Sequence, residues 1–424
     1  MSVDASTLAA VGRRAGLGAV GFCRAEPFAD SAQALHERKQ AGLHGGMQFT
    51  YRNPDRSTDP ARLVPGAAAL VVGALEFGAA ACDRPDDGSP YARVAAYARA
   101  DYYTPLRAAL ETVAEALRAA GHRAVVSADE NGLVDRAAAH RAGIGWWGKN
   151  SNILVPGLGS LVVLGAVVTD APLVPADPEP VADGCGSCRR CLDGCPTGAI
   201  VAPGTVDARR CLAWLVQADG AFDPDYRIAL GDRIYGCDDC SEVCPPNRVR
   251  VRPAHRAGPG RHPSTQPAQA GHEASARTGQ PASSHPSTQP AQASPSGAED
   301  AWVSVLDLLD SSDEDLIATF GRWYIPRRQP RYLRRNALVV LANVGEPSEP
   351  RVRAAVDRAL GDPDPLIRAH AVWCARRLGL SLDALSDPGD PLVRAELERP
   401  VRTPVDSPPV RWSLDRSSPV EPPA

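Results

Sequence analysis

Cys185-Gly186-Ser187-Cys188-Arg189-Arg190-Cys191-Leu192-Asp193-Gly194-Cys195-Pro196 is the stretch on which the reading of this chain turns. Its C-x2-C-x2-C-x3-C-P spacing is that of bacterial ferredoxins with two [4Fe–4S] clusters, in which three thiolates hold one cluster and the fourth reaches the other. A tight loop wraps three corners of a cubane, and the fourth corner, facing away, is closed from elsewhere. A second run, Cys237-x-x-Cys240-x-x-x-Cys244-Pro245, mirrors the first, with Cys211 as its missing member. The spacing therefore predicts one set of ligands in Cys185, Cys188, Cys191 and Cys244, and a second in Cys195, Cys211, Cys237 and Cys240. Paired C-x-x-C elements also build zinc ribbons, but a ribbon has no use for the extended run, and two interlocked sets of four favour clusters. These eight of the 11 cysteines fall within residues 185–244 of a 424-residue chain. A disulfide scaffold is expected in a short secreted chain, not as one dense island in a long one.

Outward from the island, residues 1–180 read as an α/β domain. Helical patterns cover 6–15, 104–120 and 136–142, and strands cover 19–24, 68–75, 123–129 and 160–169. Residues 181–250 form a ferredoxin-like domain for two [4Fe–4S] clusters. Residues 251–300 are rich in Pro, Ser, Gln and His, repeat the nonamer His-Pro-Ser-Thr-Gln-Pro-Ala-Gln-Ala at 262–270 and 285–293, and read as a disordered linker. Residues 301–398 are helical, and segments 334–345 and 368–379 recur about 34 positions apart, which predicts HEAT-like repeats, with a plain helical bundle as the alternative. Residues 399–424 read as a disordered tail.

Composition narrows the function further. The net charge of -4 excludes a uniformly basic nucleic-acid coat, so any RNA contact must be a local patch. No apolar run reaches the 18 residues of a membrane span. Arg13-Arg14 ahead of a short apolar stretch ending at Cys23 loosely imitates an export signal, but a helix running into a strand explains it better, so a cytoplasmic protein is expected. Two clusters imply one-electron transfer, with a further redox cofactor or partner.

At this point the chain resembles the epoxyqueuosine reductase family. The resemblance is carried by Tyr51-Arg52-Asn53-Pro54-Asp55-Arg56 with Asp59-Pro60, Leu63 to Ala67, Tyr97 to Tyr103, and Ala142-Gly143-Ile144-Gly145-Trp146-Trp147-Gly148-Lys149-Asn150. Gly159-Ser160, both cysteine motifs and the helical tail complete it in order. It implies cob(II)alamin bound base-off in the N-terminal domain; no Asp-x-His-x-x-Gly motif signals histidine ligation. It implies reduction of epoxyqueuosine to queuosine at the tRNA wobble position by a monomer that meets the anticodon stem-loop and an electron donor of unknown identity.

The family's catalytic aspartate lies six residues before an acidic-Arg pair, which maps it onto Asp129 as proton donor, six before Asp135-Arg136. Asp129 ends a predicted strand, where open α/β sheets place ligands. Asp135 reads instead as a helix-start residue, and Glu130-Asn131-Gly132 leaves a turn role open for Asp129. The chain departs from the family at Tyr103, where histidine is common, at those three residues, and in its long linker. Cofactor contacts are expected from Arg56, Gly148, Lys149, Asn150 and Asp238. Lys149 is one of two lysines in the chain, and its ammonium meets a cofactor phosphate or amide, or solvent. Trp146 and Trp147 offer planar surfaces to a base or a corrin, one of them as core. The stretch 322–335 holds six arginines, aromatics and no acid, so Arg327, Arg328, Arg331, Arg334 and Arg335 are expected to bind tRNA, against the alternative of a solvated helix face. Two rival functions are a reductive dehalogenase-like cobalamin enzyme and a non-enzymatic iron–sulfur electron carrier.

Overall fold

The structure, a computed structural model, describes residues 4–49, 51–78, 82–174, 177–248 and 301–401. The linker expected at 251–300 and most of the 399–424 tail lie outside the described residues. In chain order the N-terminal part contains helix α1 (Ala5–Arg14) and strands β1 (Ala19–Arg24), β2 (Ala69–Glu76) and β3 (Tyr91–Val94). It continues with α2 (Tyr103–Ala119), β4 (Ala124–Ala128), α3 (Asp135–Arg141), the short strands β5 (Trp146–Trp147) and β6 (Ile153–Leu154), and β7 (Val162–Thr169).

Local chemistry sets these boundaries. Asp4 caps α1 by accepting from the Thr7 N–H at 2.8 Å, and Arg13 and Arg14 end the helix as cations at its negative pole. α2 buries Leu106, Leu110, Val113 and Leu117 along one face, and Gly121 follows at φ +92 to stop it. The main sheet runs β1-β2-β7-β4 with every pairing antiparallel. α1 and α2 cover one face, and α3 covers the other. Ligand sites at strand ends are characteristic of open, mostly parallel sheets, so in this antiparallel sheet the end of β4 does not by itself mark Asp129 as a ligand-binding residue. β2 is covered on both faces, so its apolar run is uninterrupted although its neighbours are antiparallel.

A second sheet joins distant parts of the chain. β3 pairs in parallel with β8 (Arg233–Tyr235) and antiparallel with β9 (Trp302–Ser304). The C-terminal helices are α4 (Arg331–Val344), α5 (Pro350–Leu360), α6 (Pro365–Leu378) and α7 (Pro391–Glu398). The recurrent segments 334–345 and 368–379 lie in α4 and α6, which pack on each other, and α6 also meets α5 and α7. Asp364 caps α6 through the Leu366 N–H at 2.9 Å, and Gly379 closes it at φ +69.

One hydrophobic core runs through Val94, Phe222, Ile234, Leu338, Trp373 and Val393, so the cysteine-rich and helical parts are packed as one body. Buried polar groups tie the same seam. The Arg335 guanidinium, 0% exposed, donates to the carbonyls of Ala218, Gly220, Leu215 and Val216. His370 Nε2 accepts from the Phe222 N–H at 3.1 Å, and burial pushes its pKa well below the ordinary value, keeping it neutral. Arg227 and Glu396 form a buried two-point ion pair at 2.9 and 2.7 Å. No helix among the described residues is long and apolar enough to cross a membrane.

Candidate active site and cluster-binding cysteines

The eight island cysteines sort into two groups in space. Cys185, Cys188, Cys191 and Cys244 line one cavity of about 60 Å³. Burial and then the neighbouring Cys191, Cys185 and Cys188 push the Cys244 thiol up to about 12. In the other group, burial raises the Cys240 thiol first, followed by Cys211 and Cys195. Cys211 is raised by burial and also feels Cys195, and Cys237 feels Cys240. The loop of the first run thus keeps three cysteines together and sends Cys195 toward Cys211 and Cys240, while Cys244 joins the first three. Four thiols around a shared void, with Cys191 and Cys244 raised by burial and by their neighbouring cysteines, is a donor set that a cationic iron–sulfur core would satisfy.

The segment 146–150 backs the first cavity. Lys149 donates to the Gly186 and Cys188 carbonyls at 2.7 and 2.9 Å, so its ammonium is fastened to the cysteine loop and neither points to solvent nor stands free for a corrin. Asn150 and Trp146 line the same cavity, while Trp147 is exposed. Gly148 is required beside them, since an added Cβ would meet Asn150 Oδ1 at 2.6 Å.

The carboxyl groups gather beside the second set. Asp129 follows β4 with φ +53, a left-handed conformation that Asp tolerates better than most residues. Its residue is exposed, yet the surrounding protein is dense enough to raise its carboxyl pKa; Arg107 opposes the rise and Glu130 adds to it. Arg107 and Glu130 are themselves paired at 2.8 Å. Asp135 is the first residue of α3 as expected, but its side chain caps nothing, and its Oδ1 is buried without a partner. Burial, then Asp129, push its carboxyl well up. Tyr103 is raised by burial and by both carboxylates, so its phenol stays protonated. Tyr235 is likewise raised by burial and also feels Asp129.

Arg136 and Tyr97 link this group to the second cysteine set. Arg136 opposes the rise of Asp135 and also that of Cys211. Tyr97, raised chiefly by burial, feels Tyr235, Asp238, Tyr103 and Cys211. Asp238 accepts from the Ala96 N–H, and burial lifts its carboxyl to about 6. Arg56 is exposed on the short helix Pro54–Ser57, which abuts the Asp129 loop through Ser57 Oγ donating to the Asn131 carbonyl at 2.9 Å. The proximity of Asp135, Tyr235 and Arg136 to Asp129 was not read from the sequence. A polar residue opening a helix reads as a cap, and only packing shows that this one is not.

The arginine-rich stretch divides. Arg335 is not an RNA contact: it sits in the core, held by four carbonyls. The arginine count was sound but could not show which side of the helix was covered. Trp323 and Tyr332 are also buried, and Tyr324 is 58% exposed. Arg331 pairs with Asp364 at 3.3 Å, and Arg334 pairs with Asp313. Arg327 and Arg328 are exposed on successive left-handed residues at φ +51 and +52, with Arg327 paired to Asp219.

The 4Fe-4S double cluster binding domain family matches residues 184–247, and with relatives named as reductases the class is a two-cluster iron–sulfur oxidoreductase. The chain is 31% identical over 376 residues to the epoxyqueuosine reductase of Bacillus cereus, covering 86% of each sequence, and it belongs to the epoxyqueuosine reductase family. Its fold is similar to that of an epoxyqueuosine reductase crystallised with an epoxyqueuosine-modified tRNA-Tyr stem loop, at TM-score 0.71 and 27% identity over 95% of both chains. It is also similar, at TM-score 0.70 and 27% identity over 95% of both chains, to a Bacillus subtilis epoxyqueuosine reductase whose catalytic aspartate loop is swung out of the active site.

Proposed function

We propose that this chain reduces the epoxide of epoxyqueuosine in tRNA to the alkene of queuosine, with two [4Fe–4S] clusters and cob(II)alamin as cofactors. The observation that carries it is the group of Asp129, Asp135 and Tyr103, linked to Cys211 of the second cysteine set through Arg136 and Tyr97, in a chain of this family. Cys185, Cys188, Cys191 and Cys244 would hold one cluster, and Cys195, Cys211, Cys237 and Cys240 the other. Asp135 Oδ1 is buried without a partner, an unmet acceptor beside Asp129 that the amide donors on a corrin rim would suit. When bound, these groups supply the electrons.

Removing the epoxide oxygen as water takes two electrons and two protons. Asp129, its pKa raised by its surroundings, holds a proton and gives it to the departing oxygen, because an unprotonated oxygen leaves poorly. Tyr103 and Tyr235 stay neutral and offer hydroxyl hydrogens to the same region. Arg56 and Asp238 flank the cofactor. Lys149, Gly148 and Asn150 serve the cluster loop. The helix pairs α4–α5 and α6–α7 are read as HEAT-like, and the exposed Arg327 and Arg328, with Arg331 and Arg334 behind them, face the anticodon stem-loop.

The direct test incubates the reduced, cobalamin-loaded protein with tRNA carrying epoxyqueuosine and digests the tRNA to nucleosides. Conversion to queuosine, with loss of one oxygen, is expected. A fully loaded protein that leaves the epoxide intact overturns the reading. Charge reversal of Arg327 and Arg328 to Glu should weaken tRNA binding and flatten the log K against log salt slope by about 1.5, from two lost phosphate contacts at roughly 0.7–0.9 each. An unchanged slope removes this patch from the interface.

A further inference from the structure

Two residues that line the cavity of the first cysteine set each carry a buried N–H donor with nothing to donate to. Trp146 Nε1 and Asn150 Nδ2 are both buried, both belong to residues lining that cavity, and neither has a hydrogen-bond partner. Asn150 is 5% exposed, and its Oδ1 is already engaged, accepting from the Asn152 N–H at 3.3 Å. Nothing about either residue is loose. The Gly184 backbone, next to Cys185, lies on the Trp146 indole so closely that an added Cβ would stand 2.6 Å from ring carbon Cζ2. Lys149 fastens the same loop through the Gly186 and Cys188 carbonyls. Buried N–H groups almost always find an acceptor, because desolvation is otherwise unrecovered. Here the acceptors that the cavity would present, once filled, are sulfurs.

We propose that Trp146 Nε1–H and Asn150 Nδ2–H donate hydrogen bonds to the sulfurs of the cluster held by Cys185, Cys188, Cys191 and Cys244 and raise its reduction potential. The inference rests on the assignment of those four cysteines to one cluster. Reduction adds negative charge to the cluster, and N–H···S bonds stabilise that charge, so the reduced form gains more than the oxidised form. The location gives the effect a purpose. Gly186, Ser187, Arg189 and Arg190 are exposed around this set, so its loop faces solvent. The surface-facing cluster is the one an external donor reaches first, and a raised potential lets it take an electron from a milder donor.

The test is an anaerobic redox titration of the full-length protein with both clusters, followed by electron paramagnetic resonance, for wild type, Trp146→Phe and Asn150→Ala. Each variant should lower one of the two cluster potentials by a factor of about ten in the reduction equilibrium, about 59 mV for a one-electron couple, and leave the other in place. In wild-type protein carrying 15N-indole tryptophan, the reduced cluster should show a nitrogen coupling that Trp146→Phe abolishes. Full iron content with unmoved potentials and no such coupling overturns the proposal while leaving the cluster assignment standing. Wild-type protein without two clusters' worth of iron and sulfide overturns both. Should a variant lose its cluster, the 15N measurement on the wild type decides alone.

Discussion

Asparagine in place of Asp129 is expected to lower turnover by about 10²–10⁴-fold, the usual contribution of one positioned general acid, with iron content and cobalamin binding unchanged. The substitution is close to isosteric, and Asn accepts the left-handed backbone at φ +53 as readily as Asp, so the loop has no reason to rearrange. What is lost is the transferable proton. Single-turnover conversion of epoxyqueuosine in tRNA measures it, and activity within about threefold of wild type would take the acid role away from Asp129.

The neighbours of Asp129 give the same assignment a pH signature. An acid must be protonated to act, so its pKa appears as the alkaline limb of kcat/KM against pH. Burial raises that pKa, Arg107 opposes the rise, and Glu130 reinforces it. Arg107→Gln removes a positive charge that favours the ionised form, so the limb should move to higher pH. Glu130→Gln removes a negative charge that disfavours it, so the limb should move to lower pH. Opposite displacements from two members of one 2.8 Å ion pair are hard to obtain from general damage.

Removing the Glu396 carboxylate should cost about 3–5 kcal/mol of stability, the range for breaking a buried ion pair from one side. Arg227 and Glu396 are 1% and 6% exposed at the side chain, and α7 brings the carboxylate onto the guanidinium at two points. In Glu396→Ala the guanidinium keeps its bond to the Phe222 carbonyl at 3.1 Å but loses its counter-charge in the core. The urea midpoint of the transition reported by Trp373, which lies 5.3 Å from the Arg227 guanidinium, should fall steeply. Replacing both partners with apolar residues of similar volume, Arg227→Met with Glu396→Leu, should recover most of the loss, because no charge is then stranded. A single variant as stable as wild type would show that the pair is not what holds α7.

The cysteine run was the most legible part of the chain because its constraint is local. Three ligands on one loop must recur at fixed short intervals, and a fourth that cannot reach its own cluster must find its partner from a second, similar run. Strand and helix positions were legible for a related reason: β1 follows the apolar pattern over 19–24 to the residue, and α2 is off by one at each end. Strand direction was not legible. β2 carries the same apolar run whether its neighbours run with it or against it, and the antiparallel β1-β2-β7-β4 order appears only in the pairing.

The chain by itself determined the spacing of the cysteine runs, the element periodicities and the Asp129 loop, since each is written in intervals of a few residues that backbone geometry must obey. Tertiary structure alone decided which charges are free to act. It buried Arg335 among carbonyls while leaving Arg327 and Arg328 outside, fastened Lys149 to the cysteine loop, and brought Asp135 beside Asp129 with an oxygen unpartnered. A side chain's charge state and its availability to a ligand depend on the groups packed around it, and those come from residues up to a hundred or more positions away along the chain.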